Sequence, residues 1–223
     1  MQKALELGIQ SGRISKTLEL GKAMQLSSVS ENGRWGKPLN GGRAGQRGWS
    51  VWGHSAPCQG AHGYKGAMEQ RQRDEFWMER LLRQAERVGR QGEIPVAAVI
   101  LDRNGHCLGW GSNRRHRQQD PLGHAELVAL RQAAALRGDW RFNDCSLLVT
   151  LEPCPMCAGA LIQARVGRVV FAASDAKRGA LGGCLNLASD PSAHHHMAIV
   201  GGIQAQAAQQ QLGDWFRRRR AQR

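Results

Sequence analysis

No apolar run in this 223-residue chain is long enough for a secretory signal or a membrane-spanning helix, so a helical membrane protein is excluded. Acidic residues are few: 18 Asp and Glu stand against 31 Lys and Arg, a formal net charge of +13 that suits a polyanionic partner. Roughly half of that excess lies in residues 1–67, so the rest of the chain is less basic than the total implies. The six cysteines show no disulfide framework, which argues for a reducing compartment such as the cytoplasm. Residues 1–67 also lack a sustained period of 2 or 3.6, apart from a weak helical hint over 3–20. They are rich in Gly, Ser, Gln and Arg, with clusters such as Asn40-Gly41-Gly42 and isolated Trp35, Trp49 and Trp52. Such a composition cannot bury enough apolar surface to offset chain entropy, so this part is expected to be disordered. Residues 68–223 are expected to form a compact domain.

What the chain does contain is His124-Ala125-Glu126, followed by Pro153-Cys154-Pro155-Met156-Cys157. Together these supply one imidazole, two thiols and a spare carboxylate. A structural zinc normally takes four protein ligands, whereas a hydrolytic zinc takes three and leaves a position for water. The inventory therefore points to a single catalytic zinc held by His124, Cys154 and Cys157, with Glu126 as the acid/base group. Cys154 and Cys157 lie on one side of a helical turn, and Pro153 and Pro155 suit a helix start. The partial positive charge there favours thiolate over thiol. His124 and Glu126 would point to opposite faces of a regular helix, so they can serve one site only from its first turn. The turn cluster Asp120-Pro121-Leu122-Gly123 ahead of them allows this.

Taken singly, a histidine is a surface or core residue, and a C-x-x-C pair is as often redox or structural as catalytic. The remaining cysteines, Cys58, Cys107, Cys145 and Cys184, lack ligand-like spacing and read as ordinary thiols. His194-His195-His196 follows a turn-rich stretch and reads as a solvated loop.

Hydrophobic periodicity predicts an amphipathic helix over 69–91, with Phe76, Trp77, Leu81, Leu82 and Ala85 as its stripe. A hairpin follows, with strands 95–101 and 106–111, then a helix over 126–135 and a strand over 146–151. The Cys154 helix extends to about residue 165; strands 168–172 and 197–200 and a helix over 203–220 complete the chain. Strand, helix, strand in succession implies a parallel pair with a right-handed crossover, which brings the starts of both zinc-binding helices to one sheet edge. The expected fold is α/β, a three-layer α/β/α sandwich around a mixed five-stranded sheet.

The two boxes resemble those of the cytidine deaminase superfamily of zinc hydrolases. Glu93-Ile94-Pro95-Val96-Ala97-Ala98-Val99, Gly111-Ser112-Asn113, Thr150-Leu151-Glu152, Arg168-Val169-Val170-Phe171 and Asp175-Ala176-Lys177 extend that likeness to the bacterial tRNA-specific adenosine deaminases. The resemblance spans about residues 69–220. It implies one zinc per subunit, Glu126 shuttling protons between water and base, Asn113 hydrogen-bonding the purine and Asp175 contacting the nucleotide sugar. The implied partner is a tRNA anticodon stem-loop, read at wobble position 34 by a homodimer. This chain departs from the pattern at Ser174, where the family usually has a basic residue, near Asn104-Gly105 and in its arginine-rich tail.

Residues 1–67 precede the resemblance. They are either an over-long reading with the true start at Met68, or a natural tail or organelle transit peptide. Arg217-Arg218-Arg219-Arg220 reads equally as phosphate-contacting or as the basic end of a helix. Besides wobble-position deamination of tRNA, two functions stay open from the residues alone. One is deamination of a free base or nucleoside such as guanine or cytosine. The other is a non-catalytic zinc-stabilised RNA-binding module, against which the unligated Glu126 argues.

Overall fold

The computed structural model describes residues 70–222; the expectations for residues 1–67 fall outside the described residues. Helix α1 (Gln70–Arg90) leads into the strands β1 (Ala97–Leu101) and β2 (Cys107–Ser112). A short helix α2 (Arg115–Gln118) and helix α3 (Ala125–Arg137) precede β3 (Ser146–Leu151). Helix α4 (Pro155–Gln163), β4 (Arg168–Ala173), β5 (Ala198–Gly201) and helix α5 (Ala205–Ala221) follow. The sheet order is β2-β1-β3-β4-β5; β1 is antiparallel to β2 and β3, while β3, β4 and β5 are parallel. The mixed five-stranded sheet matches the expectation.

Alternation along β2 shows how the layers form. Trp110 turns to one face and meets Trp77 of α1, with ring centroids 6.1 Å apart. Gly109 and Gly111 turn to the other face, where a Cβ would lie 2.2 Å from the Ala129 carbonyl oxygen and 2.0 Å from that of Ala125. Helix α3 therefore rests its backbone directly on β2, an approach only glycine permits. β1 is buried along its whole length because helices cover both faces. α5 packs beside α1 through Trp215 Nε1–H donating to the Gly89 carbonyl at 3.0 Å and Gln211 Nε2–H to Leu82 at 3.0 Å.

The buried stripe of α1 is Trp77, Met78, Leu81, Ala85 and Val88, at helical spacing; Phe76 and Leu82 are only partly buried at its margin. The stripe also carries Asp74, 2% exposed, whose carboxylate takes both Arg168 guanidinium nitrogens, Nη1 at 2.9 Å and Nη2 at 2.5 Å. This fork ties α1 to the first residue of β4. Asp74→Ala leaves the arginine half of a largely buried pair unmatched, so urea unfolding should show a loss of about 3 kcal/mol. Among the described residues, no helix is long and apolar enough to cross a membrane.

Candidate active site

Because β2 and β3 are both antiparallel to β1, they run the same way and end at one edge of the sheet. β4 ends there too. Chain leaving the carboxyl ends of parallel strands is the usual place for a ligand in an α/β sheet. Here the three exits lead to Asn113 and α3, to Glu152 and α4, and to Ser174 and Asp175.

The helix starts lie where the proline and turn signals put them. His124 caps α3 in an extended conformation, and Cys154 caps α4 likewise, with Pro155 in the first helical position. Asp120 closes the preceding turn by accepting the Leu122 N–H at 2.9 Å. Asn113 Oδ1 accepts the Ala125 N–H at 3.0 Å, one of the unpaired donors at the start of α3, and so fixes His124 relative to β2. The capping Cys154 lies outside the regular helix, whose expected extent to residue 165 is cut short at Gln163; Arg165 takes a left-handed conformation that turns the chain into β4.

His124, Cys154 and Cys157 form one group, with ligand atoms within 4.8 Å of one another. His124 Nδ1 lies 3.7 Å from Cys154 Sγ and 3.6 Å from Cys157 Sγ. Zinc–nitrogen and zinc–sulfur bonds of about 2.05 and 2.3 Å at a tetrahedral angle require a separation of roughly 3.6 Å. The donor set therefore fits zinc in both chemistry and spacing. Cys157 holds the Cys154 thiol well below its ordinary range, at about 3, and the Cys157 thiol is correspondingly pushed up by its bond to Cys154 and by burial. The lowered Cys154 thiol favours the thiolate, the form in which cysteine binds a metal. The bond to Cys154 raises the His124 imidazole against the opposing effect of burial.

Glu126 sits in the first turn of α3, 4% exposed, in the wall of the same cavity. Burial pushes its carboxyl above the ordinary carboxylate range, while its own backbone amide and His124 pull the other way. The cavity measures about 500 Å³. His124, Cys154, Glu126 and Asn113 line it, together with Ser174–Arg178 and the α5 residues Leu212 and Phe216. Asp175 is there as well, but its Oδ1 already accepts the N–H groups of Lys177 and Arg178 at 2.9 and 3.1 Å.

Among the described residues, none of the other cysteines and histidines weighed above joins the group. Cys145 is buried, with its thiol pushed up to about 11 by burial, and Cys107 and Cys184 stand apart. His194 and His196 are exposed, as expected of a solvated loop, while His195 and His196 bond to the Val166 and Ala188 carbonyls at 2.8 and 3.2 Å. Cys58 lies outside the described residues. Three features of the site went unread in the sequence: the α5 wall, the cavity position of Arg115, and the buried Glu152 beside the metal-ligand box. A carboxylate directly after an apolar strand was the available signal for Glu152, since a buried charge must find partners.

Comparison with known proteins agrees with this geometry. The sequence model of the cytidine and deoxycytidylate deaminase zinc-binding region matches residues 71–173, and the cofactor is zinc. The tRNA-specific adenosine deaminase of Haemophilus influenzae is 39% identical over 150 residues, which cover 67% of this chain and 87% of that protein. The Bacillus subtilis protein of the same name is 36% identical over 144 residues, covering 65% and 89%. A structure solved in work on A-to-I editing by tRNA:A34 deaminases superposes with a TM-score of 0.59 at 32% identity, covering 61% of this chain and 98% of that one. With its strand order, its helix-mouth donors and these relatives in agreement, the chain belongs to the tRNA-specific adenosine deaminase family of zinc-dependent deaminases.

Proposed function

We propose that this protein converts adenosine to inosine at wobble position 34 of a tRNA anticodon. The observation that carries the reading is a three-donor zinc group beside a buried, non-ligating carboxylate in a cavity open to a nucleoside. His124, Cys154 and Cys157 hold the metal. Zinc supplies a Lewis acid that brings the ionisation of a water near neutrality. Glu126 takes the proton of the attacking water as the bond to C6 forms and delivers it to N1 of the purine. The proton of the new C6 hydroxyl then passes to the exocyclic nitrogen as the C6–N bond breaks, so ammonia leaves and C6 becomes a carbonyl. Asn113, anchored through Oδ1, has its amide N–H₂ to offer the base, and Leu212 and Phe216 offer an apolar surface to the ring. Asp175 keeps its second oxygen for the sugar. Mapping inosine in bulk tRNA after incubation with the protein tests the reading; unmodified tRNA would overturn it.

The substrate class has its own test. Arg115, Lys177 and Arg178 line the cavity, and α5 ends in Arg218, Arg219 and Arg220. Phosphate contacts of this kind release counterions, so kcat/KM on an anticodon stem-loop should fall about tenfold or more between 50 and 200 mM salt. Flat dependence would favour a free base or nucleoside instead.

The family reading also carries a homodimer and a reducing, cytoplasmic site of action. It requires nothing of residues 1–67. A fragment from Met68 to Arg223 is expected to fold, sediment as a dimer and keep its turnover; an unfolded or inactive fragment would show that the preceding residues matter.

A further inference from the structure

Glu152 has no part in the proposed chemistry, yet it is 3% exposed and lies between the end of β3 and the zinc-ligating Cys154. Its charge is met by the backbone. Oε2 accepts the Asp175 N–H at 2.9 Å, and Oε1 accepts those of Leu181 and Gly183 at 2.9 and 2.8 Å. One carboxylate thus gathers three peptide groups from a single segment, a concave arrangement suited to an anion. The segment closes around it through two glycines. A Cβ on Gly179 would lie 2.3 Å from the Glu152 carboxyl carbon, and one on Gly183 would lie 2.5 Å from Oε2. Neither glycine has a positive φ, so what each supplies is room. The Pro153 carbonyl also accepts the Ala180 N–H at 2.9 Å, binding the segment to the strand–helix junction that carries Cys154.

The segment held in this way contains Asp175, Lys177 and Arg178, which line the same cavity as His124 and Glu126. The Asp175 carboxylate turns the chain by accepting the Lys177 and Arg178 N–H groups, so its placement sets theirs. We propose that Glu152 is a positioning residue for nucleotide recognition: its carboxylate fixes the segment from Asp175 to Gly183 so that one carboxylate and two cations meet the sugar and phosphates of the substrate in a single geometry. The proposal rests on the deaminase reading above for its substrate, and on the three backbone bonds for its structure.

Glu152→Gln in the full zinc-loaded chain tests it. Glutamine has one acceptor oxygen, so it can keep only part of the set, and its N–H₂ must oppose at least one backbone N–H. Amide exchange over residues 175–183 should speed up about tenfold or more, as expected when a charge-assisted bond is lost. KM for an anticodon stem-loop should rise about tenfold with kcat within about twofold, while zinc stoichiometry stays the same. Residue 152 acting only in general stability would instead lower kcat through a smaller active fraction, leaving KM and local exchange unchanged; that result overturns the proposal. Should the glutamine variant not fold, Gly183→Ala keeps the carboxylate and wedges the segment, and must give the same rise in exchange and KM; unchanged values there overturn the proposal equally. Wild-type protein that forms no inosine would sink the deaminase reading alone, because the exchange measurement judges the role of Glu152 without turnover.

Discussion

Glu126→Ala protein is expected to bind zinc at wild-type stoichiometry and to form inosine on the order of a thousandfold more slowly, within the range seen when a positioned acid/base group is removed. The expectation follows from where the carboxylate lies. It is buried, shares the first turn of α3 with His124, and belongs to the cavity wall rather than to the donor group. Burial holds its carboxyl above the ordinary range, so ionising it within the fold is unfavourable. Removing it should therefore leave thermal stability unchanged or raised, the pattern expected of a group kept for chemistry at a cost to the fold. Glu126→Gln preserves shape and removes the proton acceptor, and should lose activity to a similar degree. Inosine formation and metal analysis on the same samples decide the matter. Wild-type turnover in either variant removes Glu126 from the proton path.

Gly111→Ala should act on the fold and the site together. The added methyl group would stand 2.0 Å from the Ala125 carbonyl oxygen and 2.7 Å from the Ala129 nitrogen, both backbone atoms of α3. No rotamer change relieves such a clash, so the helix must lift from β2, and a loss of about 3 kcal/mol is expected at the upper end of overpacking costs. Ala125 directly follows His124 and donates its N–H to Asn113 Oδ1, so lifting α3 also shifts the imidazole relative to the two sulfurs. Urea unfolding and zinc titration should both register the change. Gly159→Ala is the matched comparison: it sits in α4 with nothing within 4 Å of the new methyl, and should be neutral or more stable by up to about 1 kcal/mol. Equal behaviour of the two variants would refute the close approach of α3 to β2.

Much of the candidate site is legible in the sequence, because its donor groups come as two short local motifs. His124 with Glu126 needs only a helix start after a turn, and Cys154 with Cys157 needs only a proline-marked helix start; both are decided over a few residues. The stripe of α1 was legible in outline, but Met78 and Val88 are buried where Phe76 and Leu82 were expected. Periodicity locates a face to within a residue or so, and the partner surface decides which residues lie at its centre. Short α2, with no buried residue and no apolar period, left no signal to read.

Local chemistry alone thus specified a zinc-directed imidazole, two thiols and a carboxylate at helix mouths, and the alternation of strands and helices that carries them. Long-range packing set the remainder. Which segments close the cavity depends on the strand order and on where α5 docks against α1, contacts more than a hundred residues apart in sequence that no local pattern encodes. The carboxylate of Glu152 belongs to the same class, since its meaning lies in three peptide groups that reach it only once the chain has folded back from β4. Hydrogen bonds and turns act over a few residues and leave a sequence signature; burial is a property of the assembled layers and leaves its choice of partners to them.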